Sequence, residues 1–377
     1  MRVVQVYKDY EPPVFGGIER SVRVLSEGLS ARGADVTVVA ASSRRSTSVE
    51  RIAGVTVVRA ATFGRVARAP VSPTVASWLR RLRPDVLHFH HPNPTGELAC
   101  LLAHPRCPVV VTYHCDIVRQ KRLLRLYRYP LRAFLHRADR ILVTSPAALE
   151  GNVLLDPHRG RCEVLPLGIR AADLLETERT RETVSRLGGL RRPVVLFVGR
   201  LRPYKGLPVL IDAMAEIPGT LLVVGRGEME DAIRTKVQRE GRHESVLLAG
   251  DVPQEELAGY YRASDLFVLP SLDRSEALGL AMIEAMHCGL PVISTRVGTG
   301  TSHVNQDGVT GLEVAPGDPD ALARAIRWML AYPGRARAMA AAGKERAAAY
   351  SETAMIDRTA RMYEELIGAG NRGRAVA

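Results

Sequence analysis

The sequence predicts an α/β chain built as two doubly wound units. Short β-branched apolar runs alternate with helical patterns from the first residues onward. The runs are apolar almost throughout, as strands are when helices cover both faces of a parallel sheet. The pattern then starts afresh at Pro193–Val198, after the polar stretch Arg179–Arg192. Arg2–Tyr7 reads as the first strand, and Gly16-Gly17 leads into the helix pattern Ile18–Ala31. Asp35–Ala40, Val55–Arg59, Val86–His90, Val109–Tyr113, Ile141–Thr144 and Glu163–Leu165 read as further strands, and Val75–Leu82 and Leu123–His136 as further helices. Leu167-Gly168-Ile169 reads as a hinge. In the second unit Pro193–Val198 is followed by strand patterns at Thr220–Val224, Val246–Leu248, Leu266–Leu269 and Pro291–Ser294. Beyond Pro316-Gly317-Asp318 the chain reads as helix to Leu366, with a tail over Ala369–Ala377 that should fray. The expected domains are therefore 1–168, 169–350 and a last helix and tail at 351–377. Two such units on one hinge predict a ligand cleft between the carboxyl ends of their sheets.

Composition narrows the function classes. With 46% hydrophobic and 24% charged residues over 377 positions, the chain is neither disordered nor collagen-like nor a disulfide miniprotein. No charge-free apolar run approaches the roughly 18 residues of a membrane span, and the N-terminus does not read as a secretion signal. Five cysteines, an odd number without CxxC pairs, fit reduced thiols in cytoplasm better than disulfides or a zinc site. The net charge of +12 is uneven: residues 1–170 hold 26 Lys and Arg against 13 Asp and Glu, so the whole excess lies in the first half. That asymmetry suits an anionic partner on the first unit, or simply a solvated basic surface.

Several residue groups carry chemistry. Gly16-Gly17, between a strand and a helix, would let backbone approach an anion, or form a turn alone; the dinucleotide pattern GxGxxG is absent. Arg200 and Lys205 lie five apart in the loop after the first strand of the second unit, where a turn could bring both cations onto one diphosphate. Glu276 and Glu284 lie eight apart, the first in a loop and the second about a turn inside the following helix. Carboxylates accept from paired hydroxyls, so one could hold a sugar and the other a ribose. Amides near Gly279 and Leu280 would face an anion. His114 follows an apolar strand and could donate to a sugar or phosphate; a satisfied structural histidine is the alternative. Cys115 has no base placed beside it by sequence. His88, His90 and His91 surround a strand end; residues 88 and 90 share a face, so a metal is conceivable, but no carboxylate accompanies them at ligand spacing and none is expected. Arg119, Lys121, Arg122, Arg125, Arg128, Arg132 and Arg137 interleave with apolar residues over 119–137, a pattern that suits either an anionic membrane surface or a helix with one core face. Nucleic acid is not expected, since no recognition motif accompanies the charge.

Taken together, these residues resemble the retaining glycosyltransferases of GT-B fold, family four. The resemblance spans nearly the whole chain and is strongest from Pro193 to Asp318. Glu276 to Glu284 matches the family's E-x7-E motif, Arg200 and Lys205 its diphosphate-binding pair, Gly16-Gly17 its first-lobe glycine loop and His114 its active-site histidine. The resemblance implies two Rossmann-like lobes facing across a cleft, with a last helix crossing back to the first lobe. It implies a nucleotide-sugar donor, no cofactor and no metal, and transfer of a hexosyl group with retention. Arg200 and Lys205 would neutralise the leaving diphosphate, Glu284 hold the ribose, Glu276 and the amides around Gly279 and Leu280 the donor sugar, and His114 the sugar or developing charge. The stretch Gly298-Thr299-Gly300-Thr301-Ser302 departs from many relatives. It resembles a subset that builds bacterial surface polysaccharides from GDP-mannose or related GDP-sugars, with lipid-linked or saccharide acceptors. The family's usual Asp after the Gly-Ile hinge is Arg170 here, so no ligand role is carried over to that position. A UDP-sugar donor, a GT-B epimerase, and a non-catalytic membrane- or nucleic-acid-binding protein using the basic lobe are the alternatives.

Overall fold

A computed structural model describes residues 1–14, 16–66, 69–116 and 121–375, with backbone alone considered at 121–124 and 370–375. The described chain divides into two compact units, Met1–Gly168 with Glu352–Ala377, and Ile169–Ser351.

The first unit contains β1 (Arg2–Val6), α1 (Gly17–Ala31), β2 (Asp35–Ala41), β3 (Ser48–Ile52), β4 (Val55–Ala60), the short pair β5 (Arg65–Val66) and β6 (Ala69–Pro70), α2 (Thr74–Leu82), β7 (Val86–His91), α3 (Pro94–Ala103), β8 (Val109–Tyr113), α4 (Lys121–Arg137), β9 (Arg140–Val143) and β10 (Cys162–Val164). Eight strands form one sheet in the order β10-β9-β8-β7-β1-β2-β4-β3, parallel except for β3. β3 escapes the sequence pattern because it is an exposed edge strand with no apolar run. It returns antiparallel on β4 through Ala53-Gly54, both at positive φ, the geometry that favours two-residue hairpins.

The apolar runs of this unit are less uniform than they read. Val4, Val6, Leu87, Phe89, Val109 and Val111 share one face and pack on Leu131, Phe134 and Leu135 of α4. The Phe89 and Phe134 rings meet edge to face at 5.3 Å. The alternate positions Gln5, His88, His90 and Thr112 point the other way and are equally buried.

The second unit runs α5 (Glu178–Leu187), β11 (Val194–Val198), α6 (Leu207–Ala213), β12 (Thr220–Val224), α7 (Glu230–Arg239), β13 (Val246–Gly250), α8 (Gln254–Ala263), β14 (Leu266–Leu269), α9 (Leu280–His287), β15 (Val292–Thr295), α10 (Gly300–Val304), β16 (Leu312–Val314), α11 (Pro319–Ala331) and α12 (Pro333–Ala347). Its all-parallel sheet has the order β13-β12-β11-β14-β15-β16, with the direction of strand addition reversing between β11 and β14. The polar stretch 179–192 proves to carry all of α5 but its first residue. Thr177 caps it reciprocally with Thr180, and Thr180 and Thr183 are its buried residues. Gly259 of α8 makes the contact possible, since a Cβ there would lie 2.5 Å from Thr183 Cβ.

α13 (Glu352–Ala375) belongs to the first unit. It remains helical through Ala375, so the tail expected to fray from Ala369 is helix over most of its length. Ile356 of α13 lies against Gly28 of α1, where a Cβ would fall 2.2 Å from the isoleucine Cδ1. Gly28→Val should therefore push α13 outward and cost about 1–3 kcal/mol. Urea unfolding measures this, and an unchanged midpoint would show that the two helices have room to spare.

Candidate active site

In the second unit, the loops after β11 and β14 meet at the point where the sheet order reverses, the place where open α/β sheets bind ligands. Gly199, Arg200 and Leu201 leave β11, Pro203–Lys205 form a single 3-10 turn, and Gly206 follows at φ 67°. A side chain at Gly206 would be driven into the Pro270 carbonyl oxygen, 1.9 Å from an ideal Cβ, so glycine is what lets the two loops touch. The Leu272 amide donates to the Tyr204 carbonyl at 2.7 Å and fixes that contact.

Lys205 Nζ donates to Glu276 Oε2 at 2.6 Å, and Ser271 Oγ donates to the same oxygen at 2.9 Å. Both charged side chains are largely buried, at 12% and 8% exposure. Burial opposes the ammonium, but the Glu276 carboxylate outweighs it and the Lys205 pKa is raised. Lys205 is therefore a fixed cation. The loop carrying Glu276 is clasped from behind: Thr299 Oγ1 donates to the Glu276 carbonyl at 2.6 Å, the Gly300 amide donates to the Ala277 carbonyl at 2.9 Å, and Arg274 donates to the Gly298 carbonyl. The Gly298–Ser302 stretch supplies this clasp.

Gly279, at φ 78°, caps α9, and a Cβ there would lie 2.7 Å from Leu269 Cδ2. Leu280 begins the helix, whose first amides lack intrahelical acceptors. Glu284 is buried, and its Oε2 accepts from the Tyr261 hydroxyl of α8 at 2.8 Å. An ordinary exposed helix glutamate is thereby excluded. Arg200 is half-buried, and its guanidinium makes no hydrogen bond or ion pair among the described residues. Lys205 and Glu276 are thus brought into contact, Arg200 shares the Lys205 loop, and Gly279, Leu280 and Glu284 continue the Glu276 segment. Ser271, Tyr261 and Thr299 were missed, because single hydroxyls in loops and helices carry no spacing signal.

The remaining candidates lie in the first unit. Gly16 is the extended N-cap residue of α1 and Gly17 its first residue. His114 follows β8 and is buried. Its Nε2 lies 3.0 Å from His90 Nδ1, and its Nδ1 is buried with no partner among the described residues. His90 Nε2 bonds Gln5 Oε1 at 2.8 Å, and His88 bonds Tyr363 of α13 and Thr112. The imidazoles of His88, His90 and His114 stack in series, with centroids 4.4 and 5.2 Å apart. His91 is separate from this column. Its Nδ1 lies 2.8 Å from Glu97, which also accepts from Tyr127. Among the described residues no group of three or more His, Cys, Asp or Glu is placed to hold a metal ion.

Of the basic segment 119–137, residues 119 and 120 lie outside the described residues. In the rest of α4, Leu131, Phe134 and Leu135 are core. Leu126 and Tyr129 are 75% and 62% exposed beside the exposed Arg125, Arg128 and Arg132.

Burial pushes the pKa of His88 and of His114 down to about 3, and that of His90 well below its ordinary 6.5. In the window below about pH 6.5 the unfolded chain then binds more protons than the folded one, so stability rises with pH there and is lost on acidification. Each histidine contributes up to about 1.4 kcal/mol per pH unit. The urea midpoint should drop markedly between pH 7 and pH 5, above the ordinary carboxylate range. Equal midpoints would mean that these rings are not held neutral.

Residues 181–346 match the family described as Glycosyl transferases group 1, and residues 15–173 match Glycosyltransferase Family 4. The chain is 35% identical to the D-rhamnosyltransferase WbpZ of Pseudomonas aeruginosa over 90% of its own length and 89% of the relative's. It is 33% identical to the O-antigen chain mannosyltransferase C of Escherichia coli, over 86% and 88% of the two chains. The sucrose-phosphate synthase structure from Thermosynechococcus elongatus superposes with a TM-score of 0.83 at 25% identity, covering 98% of this chain and 99% of that one. The parallel sheets, the loops meeting at the reversal of strand order and these likenesses agree: the chain belongs to the glycosyl transferases group 1 family and is a glycosyltransferase of GT-B fold.

Proposed function

We propose that the protein moves a mannosyl or related hexosyl group from a GDP-sugar to a lipid-linked or polysaccharide acceptor, with retention of configuration and without a metal. The observation that carries this reading is the buried contact of Lys205 with Glu276. It supplies a fixed cation for a diphosphate beside a carboxylate able to accept sugar hydroxyls. The two relatives are named as a rhamnosyltransferase and an O-antigen mannosyltransferase, which supports the sugar class and a polysaccharide acceptor.

In the proposed reaction the bond between the anomeric carbon and the diphosphate oxygen breaks. Negative charge grows on that oxygen, facing Lys205 and Arg200, which act by electrostatic preorganisation. The acceptor oxygen bonds to the anomeric carbon on the same face, and its proton passes to the departing phosphate oxygen. Glu276 and the amides at Gly279 and Leu280 hold the sugar, Glu284 holds the ribose, and the resemblance gives His114 and the Gly16-Gly17 loop parts in donor binding. Tyr261 then orients Glu284.

Lys205→Ala should lower turnover by about a hundredfold or more, roughly 3 kcal/mol of barrier. Because it also strips a buried carboxylate of its partner, it should be assayed well below its own unfolding midpoint. Arg200→Ala, which breaks no ion pair among the described residues, should impair turnover in the same direction. Near-wild-type turnover in both variants would refute the diphosphate role. A thermal-shift panel of GDP, UDP and ADP tests the base. At 100 times its Kd the true nucleotide should stabilise by about 2.7 kcal/mol, and a UDP-only response would overturn the GDP assignment.

The exposed Leu126 and Tyr129 among Arg125, Arg128 and Arg132 favour a second element of the reading. We place the protein peripherally on the anionic cytoplasmic face of a membrane, where a lipid-linked acceptor would be found. No helix among the described residues is long and apolar enough to cross a membrane. Anionic liposomes should retain the protein and salt release it, and Leu126→Ser with Tyr129→Ser should weaken retention. Equal retention by neutral liposomes would defeat the electrostatic part.

A further inference from the structure

Two glycines press the arginine between them onto the loop that carries Arg200 and Lys205. In Gly225-Arg226-Gly227, which leaves β12, a Cβ on Gly225 would fall 2.3 Å from the Gly199 carbonyl oxygen, and one on Gly227 2.5 Å from that of Leu201. Glycine at both positions is what permits so close an approach of the two backbones. Hydrogen bonds then fix it. The Gly199 amide donates to the Val224 carbonyl at 3.0 Å, the Leu201 amide to the Arg226 carbonyl at 2.9 Å, and the Met229 amide to the Leu201 carbonyl at 3.1 Å. Arg226 is thus bolted through its backbone to the neighbour of Arg200, and it carries the one side chain of the three-residue segment.

That side chain lies over the end of the next strand. Gly250 closes β13 at φ 71°, and its carbonyl accepts from the Gly225 amide at 2.7 Å. A Cβ on Gly250 would lie 3.3 Å from Arg226 Nε and 3.5 Å from Nη2, so the guanidinium rests directly on the glycine. It is exposed and makes no hydrogen bond or ion pair among the described residues. β13 is two strands from β11, roughly 10 Å across the sheet, which is of the order of the length of a nucleoside. The helix that follows β13, α8, bears Tyr261, the partner of Glu284. A nucleotide with its diphosphate at Arg200 and Lys205 and its ribose at Glu284 therefore sends its base towards the ends of β12 and β13, within reach of Arg226.

We propose that Arg226 selects the base of the donor nucleotide, its guanidinium fork donating to a purine edge that carries two adjacent acceptors. This rests on the reading of the second unit as the nucleotide-sugar site. A guanidinium has donors and no acceptor. Guanine presents O6 and N7 side by side and matches the fork at both. Adenine sets an amino donor beside N7, against the fork, and uracil offers O4 beside a carbon-bound hydrogen. Arg226 is a specificity-determining residue: it discriminates among bases, whereas Arg200 and Lys205 face the diphosphate whatever base it carries.

Calorimetric titration of the full chain with GDP, UDP, ADP and inorganic diphosphate tests this. The wild-type protein should bind GDP tightest. Arg226→Ala should weaken GDP about tenfold or more, the scale of one bidentate base contact, and leave inorganic diphosphate unchanged. Arg226→Gln, whose amide offers one donor and one acceptor and so fits adenine, should raise the affinity for ADP relative to GDP. The side chain is exposed and unbonded, so both variants should keep the wild-type urea midpoint, which is measured alongside. A GDP preference unchanged in Arg226→Ala overturns the proposal. So does an equal loss for all three nucleotides or a weakened inorganic diphosphate, since either would make Arg226 a general cation. A wild-type protein that binds UDP or ADP tightest overturns instead the GDP assignment on which the selection was argued.

Discussion

The Lys205–Glu276 contact is the constraint around which the second unit arranges itself. A buried ion pair is a poor way to stabilise a fold, because desolvating two charges consumes most of what their attraction returns. This pair nevertheless commands a large supporting cast. Gly206 brings the two loops together, Ser271 satisfies the same carboxylate oxygen, and Thr299 and Gly300 hold the backbone that carries Glu276. Thr295 in turn fixes the Ser271 carbonyl. Such investment in one ion pair makes sense where a third charge is to be received. In the proposed reaction, a diphosphate arriving at Lys205 would meet a cation already desolvated and aimed, so little reorganisation would remain when charge develops.

Much of the fold was legible because parallel strands covered on both faces leave short uninterrupted runs in the sequence. Val194–Val198 and Val109–Tyr113 have no polar break apart from Thr112. What escaped was held by contacts that leave no run. β3 is an exposed edge, and α5 is polar on every turn yet is anchored by two threonines against a glycine. Of the site, Lys205 and Glu276 could be read from loop position and spacing. The hydroxyls that orient them could not, since Ser271, Tyr261 and Thr299 acquire their roles only when distant loops or helices are brought together.

The imidazole column shows a different failure of reading. Gln5, His88, His90 and Thr112 alternate with apolar residues on strands paired so that Gln5 lies opposite His88 and His90 opposite Thr112. In sequence they look like scattered interruptions of apolar runs, and the three histidines near one strand end invite the thought of a metal. In register they become one buried polar face. Their number in a sheet interior is affordable only because each finds a partner, and the last partner comes from outside the sheet altogether.

That last partner is Tyr363, 358 residues away from the amide it engages. The first unit is discontinuous in the chain: its sheet is complete by Val164, but α13 is translated only after the whole second unit. During synthesis on the ribosome, the face of the nascent sheet carrying Gln5 and His88 stays unsealed while some 190 further residues emerge. The second unit, contiguous from Ile169 to Ser351, has no such wait. The protein's folding order is thus written into its connectivity: the later-made unit can finish first, and the earlier-made one closes only with the final helix.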